Sequence, residues 1–141
     1  MSLITKILLA YDGSPPAEKA FLYALDLAES LRVPFEVFEV LLVPGAPGFP
    51  SDAPSHAKEE FERFEARSQE LDSIAQARGV SPSFRIVTGL AVREIVNRAA
   101  SGGFDLIVIG HHHHSTLGQM FSPSVAKATI DAAPCATLVV W

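Results

Sequence analysis

Four consecutive histidines, His111, His112, His113 and His114, lie inside this 141-residue chain, far from either end. Three readings of them are open. Neutral imidazole is the commonest side-chain ligand for transition metals. Consecutive side chains point apart, so at most two of the four could face one ion, with Asp12 or His56 completing the set. No H-x-x-x-H or cysteine-paired spacing supports a formed centre. Protonated imidazoles, populated near or below about pH 6.5, could instead meet phosphate. The simplest reading is that they are solvated loop residues without a role.

The histidines belong to a polar segment from Gly110 to Val125, and a second one, Asp12-Gly13-Ser14-Pro15-Pro16, follows the first apolar run. Asp-Gly-Ser is turn chemistry on backbone grounds alone. Ser14 suits a helix N-cap and Pro15 the first helical turn. Ser14, Ser115 and Ser124 are the candidate nucleophiles, but none sits in a G-x-S-x-G elbow; their helix-entry positions suit capping or anion contacts. Cys135, the one cysteine, reads as a small packed residue. No base–nucleophile pair can be assigned. The expectation is therefore a binding module. An enzyme using the His111–His114 run for acid–base or metal chemistry stands as the alternative.

Five short apolar runs must position these loops: Ile7 to Tyr11, Phe35 to Leu42, Phe84 to Val87, Leu106 to Ile109 and Ala136 to Val140. The first, fourth and fifth are almost wholly apolar, as in strands covered on both faces of a parallel sheet. The second is interrupted by Glu36 and Glu39, which places it nearer an edge. Helical segments separate the runs. Ala17, Ala20, Phe21, Ala24, Ala28 and Leu31 form one buried stripe. Ala57, Phe61, Phe64, Ser68, Leu71 and Ala75 form another, with Lys58, Glu59, Glu60, Glu62 and Arg63 facing water and Gly79 ending the helix. Further helices are expected from Ala91 to Ala100 and from Pro123 to Ala132. Strand–helix alternation throughout predicts one α/β domain over residues 1–141, a doubly wound parallel sheet in three layers. The segment from Val43 to Pro54 holds four prolines and two glycines and reads as an extended loop.

Composition narrows the function. Hydrophobic residues make up 48% and charged residues 19%, which excludes a disordered chain. A net charge of −5 argues against nucleic acid as a partner. A lone cysteine fits a reducing compartment, and no apolar run is long enough for a signal h-region or a membrane span, so a cytoplasmic protein is expected.

The opening strand with Tyr11-Asp12-Gly13-Ser14, the run Phe104-Asp105-Leu106-Ile107-Val108-Ile109-Gly110, and Ser124-Val125-Ala126-Lys127 through Ala133-Pro134-Cys135-Ala136-Thr137-Leu138-Val139-Val140 together resemble the universal stress protein family, in order and spacing, over essentially the whole chain. The resemblance implies strand order 3-2-1-4-5, a homodimer formed through the last strand, Ala136 to Trp141, and in many members ATP or AMP binding. It further implies that Asp12 stands at the nucleotide crevice, that the backbone of Val40 meets adenine, and that a glycine-rich turn after the fourth strand cradles phosphates, ending in a hydroxyl residue. Gly110 and Ser124 match that turn, with Val125 beside Ser124. His113 and Pro123 occupy two of its glycine positions. Proline has no N–H to offer an anion, so nucleotide binding is expected to be weakened or lost; a competent ATP or AMP binder is the alternative. The resemblance implies at most weak ATPase activity, with a nucleotide-hydrolysing or metal-binding enzyme that uses His111–His114 as the further alternative.

Overall fold

The computed structural model describes residues 2–41, 57–111 and 123–141. Strands and helices alternate: β1 (Ile7–Ala10), α1 (Pro15–Leu31), β2 (Phe35–Leu41), α2 (Ala57–Gln76), β3 (Ser83–Thr88), α3 (Ala91–Ser101), β4 (Leu106–Gly110), α4 (Pro123–Ala132) and β5 (Ala136–Val140). All four strand pairings are parallel and the order is β3-β2-β1-β4-β5. This is the three-layer α/β sheet expected from the alternation, in the order that the resemblance implied.

Side chains leave a strand alternately to its two faces, and the core is accordingly split in two. Ile7, Leu9, Phe35, Val37, Leu106 and Val108 pack with Ala20, Phe21, Ala24 and Leu25 of α1 and Leu71 and Ala75 of α2. Leu8, Ala10, Phe38, Val40, Ile107 and Ile109 pack with Ile95 and Ala99 of α3 and Ala126 of α4. Helix α1 starts as its residues dictate: Ser14 is extended and its side chain accepts the amide of Ala17, a cap worth about 1 kcal/mol. Past α2, Gly79 takes φ 73°, the left-handed turn in which glycine carries no Cβ penalty.

Three expectations are corrected. Leu31 and Phe61 are exposed, at 36% and 44%, and their stripes are carried by Leu25 in α1 and by Phe64, Leu71 and Ala75 in α2. The last strand, β5, is not buried on both faces: Ala136 is exposed and Thr137, Leu138 and Val139 are only half-buried. The second strand is one strand in from the edge, between β1 and β3, but it is not less buried: Glu36 is 5% exposed. The carboxylate of Glu36 survives burial because Arg98 of α3 donates to it at 3.0 and 2.6 Å and Arg85 of β3 reaches it at 3.3 Å.

A candidate ligand cleft at the strand tips

The register sets the tips level. Ala10 stands opposite both Phe38 and Ile109, so Asp12, Val40 and His111, each two residues further on, leave the sheet at one height. Chain direction across the sheet reverses between β1 and β4, the switch point where open α/β sheets bind ligands. Gly110 closes the contact there. A Cβ on it would lie 2.6 Å from the Pro16 carbonyl carbon and 2.8 Å from the Ala17 nitrogen, so only glycine lets the tip of β4 meet the start of α1.

Asp12 both shapes its turn and faces open space. Its carboxylate accepts the Ser14 amide at 3.0 Å and the Ser14 hydroxyl, the Asx-turn arrangement. It also lines a cleft of about 230 Å³, shared with Tyr11, Gly13, Glu39, Leu41, Glu60, Arg63, Phe64 and Arg67. Asp12 is thus a turn residue that also lines this cleft, whose walls come from the end of β1, from β2 and from α2.

Of the other residues singled out in the sequence, Val40 is 1% exposed, its side chain in the α3-facing core. Its neighbours Glu39 and Leu41 point the opposite way and line the cleft. Gly110 ends β4. Ser124 and Val125 lie in the first turn of α4, the positive end of its dipole. His111 donates its amide to Val140 at 2.7 Å and its ring stacks 4.1 Å from that of Trp141. His112, His113 and His114, with the rest of their loop and the proline-rich segment, lie outside the described residues. Among the described residues no group of three metal-ligating side chains converges, and no helix is long and apolar enough to cross a membrane. Cys135 is half-buried, and burial pushes its thiol up from the usual range.

Sequence reasoning missed the polar wall of the cleft. Tyr11 donates its hydroxyl to Glu18, and burial, then that carboxylate, hold the phenol well above its ordinary value. Arg67 of α2 reaches Glu18 at 3.2 Å and Glu70 at 3.4 Å. Glu39 has no hydrogen bond or ion pair among the described residues. Desolvation first, then the charges of Asp12 and Glu60, push its carboxyl up from 4.5 to about 8, with Arg67 opposing. It is therefore mostly protonated at neutral pH. Glu60 and Arg63, which a helical wheel places on the solvent face, meet it across the cleft. The available signal was Glu39 itself, a carboxylate inside an otherwise apolar run.

The sequence profile described as the universal stress protein family matches residues 4–140. A universal stress protein of Methanocaldococcus jannaschii is 28% identical over 99% of this chain and 83% of its own length. Among solved structures, a universal stress protein in complex with cAMP superposes with TM-score 0.76 at 20% identity, covering 99% of each chain. One from Archaeoglobus fulgidus in complex with dAMP gives TM-score 0.68 at 19% identity, covering 100% of each chain.

Proposed function

The chain belongs to the universal stress protein family, and from that premise we propose a small cytoplasmic binding module of the stress response that holds an adenine nucleoside monophosphate in the Asp12 cleft and has lost most of its grip on a polyphosphate tail. The observation that supports this reading is the make-up of the cleft: the carboxylates of Asp12 and Glu60 stand against the guanidiniums of Arg63 and Arg67, and the carboxyl of Glu39 keeps its proton at neutral pH, so no excess of positive charge is left for a phosphate. Arg67 is already shared with Glu18 and Glu70. A phosphate chain would have to lie away from this wall, towards Gly110, Ser124 and Val125. There the phosphate turn has His113 in one glycine position and in another Pro123, which has no N–H to donate. The relatives solved with cAMP and dAMP hold nucleotides with a single phosphate, which agrees with a base-centred mode of binding.

Calorimetric titration with AMP, ADP and ATP tests this. AMP is expected to bind with a dissociation constant on the order of 0.1 mM, and ATP no more than about threefold tighter. Pro123→Gly should restore a preference for ATP. Micromolar ATP binding by the unaltered protein would overturn the reading.

The working unit is proposed to be a homodimer joined along β5. Among the described residues that strand is an outer edge of the sheet, and Trp141 at its end is 59% exposed; open edges of this kind pair with another chain. Deleting Val139 to Trp141 should convert the dimer to monomer or aggregate in sedimentation velocity, and an unchanged dimer would place the contact elsewhere.

A further inference from the structure

Glu39 stands at the level of Tyr11 on the face of the sheet that carries α1 and α2, and every element packed round it contributes to its surroundings. Tyr11 and Asp12 flank it at the end of β1, Glu18 approaches from α1 through the Tyr11 hydroxyl, and Glu60, Arg63 and Arg67 come from α2. On the β3 side its partner is Ile86, which is apolar. The carboxyl thus looks into the cleft between Asp12 and Glu60, with no hydrogen bond or ion pair to another of the described residues.

We infer that Glu39 is the specificity-determining residue of the cleft, its carboxyl pairing with the base of the bound nucleotide. This inference rests on the adenine reading above. The neutral acid presents one O–H donor beside one carbonyl acceptor. Adenine offers the matching pair on an edge, a ring nitrogen acceptor beside the exocyclic N–H donor. The ionised form presents acceptors only and leaves the ring nitrogen facing a carboxylate. The wall also orients the ligand: its two guanidiniums are offset by Asp12 and Glu60, and Arg67 is already shared with Glu18 and Glu70, so it offers a phosphate no net positive charge and the uncharged base is the end of the nucleotide that meets Glu39. Binding and proton uptake are then linked, because only the protonated cleft pairs with the base. With the carboxyl titrating at about 8, occupancy of the neutral form drops roughly tenfold between pH 7 and pH 9.

The test is AMP binding by the full chain at pH 7 and pH 9, with Glu39→Gln beside it and GMP as the competing base. Glutamine keeps a donor next to an acceptor and cannot ionise. The unaltered protein should lose about tenfold in AMP affinity between the two pH values, and Glu39→Gln should lose less than about twofold. The variant also cancels any effect of pH on the nucleotide itself. GMP separates the two forms: guanine meets a neutral acid or an amide through O6 and N1–H, but offers two donors, N1–H and N2–H, to a carboxylate, so between pH 7 and pH 9 the unaltered protein should lose AMP affinity relative to GMP and Glu39→Gln should not. Equal AMP affinity at both pH values, or parallel losses in protein and variant, would overturn the inference and leave the adenine reading standing. So would a ratio of AMP to GMP affinity that does not change with pH in the unaltered protein. Absence of AMP binding at either pH would overturn both.

Discussion

Glu36 and Glu39 lie three residues apart on one strand and meet opposite fates. Glu36 points to the α3 layer, where Arg98 grips it with two hydrogen bonds and Arg85 adds a third nitrogen. Glu39 points to the α2 layer, where its nearest charges are mostly of its own sign. A buried carboxylate with matched guanidiniums is an internal tie between β2, β3 and α3. A carboxyl without them, facing a cavity, keeps its proton. Orientation within a strand, more than burial, separates the residue tied into the scaffold from the one that lines the cleft.

That contrast can be broken from either side. The largest effect is expected from Arg98→Leu, which leaves Glu36 buried with only the half-exposed Arg85 beside it. Removing one partner of a buried pair costs about 3 kcal/mol or more, so urea unfolding at pH 7 should show a loss near that figure. A loss below about 1 kcal/mol would mean that the tie is ornamental.

Glu39→Gln should act in the opposite direction and by less. The folded protein holds this proton more tightly than the unfolded chain, so its contribution to stability is full below pH 4.5 and fades as pH rises to about 8. Glutamine does not titrate. The variant should therefore match the unaltered protein near pH 4.5 and exceed it at pH 9, by an amount on the order of 2 kcal/mol after screening by solvent. Denaturant melts at pH 5, 7 and 9 would show it, and a constant difference across that range would contradict a shifted Glu39.

Much of the scaffold was legible because it is local. Ser14 followed by two prolines starts α1 where capping chemistry puts it, Pro123 to Ala132 is a helix at the expected bounds, and the apolar runs are the strands. What was not legible depends on partners remote in sequence. Glu36 reads as a half-exposed strand residue until Arg98, sixty-two positions away, is folded against it. Phe61 fits the apolar stripe of α2, yet the helix turns Phe64 and Leu71 to the core instead. In the candidate site, Asp12 and Gly110 could be found from turn and strand-end chemistry. Glu60, Arg63 and Arg67 could not, since a polar helix face looks the same in sequence whether it borders water or a cleft.

The missing side chain at Gly110 has a consequence for how any ligand is met. With the end of β4 pressed onto the backbone at Pro16 and Ala17, the two strand tips that bound the switch point are fixed to one frame and have no room to close further. A guest that bridges them finds that part of its berth already in place, so little ordering is required there on arrival. Discrimination between guests then falls to the few side chains that reach inward from β2 and α2, and to whether one of them carries a hydrogen.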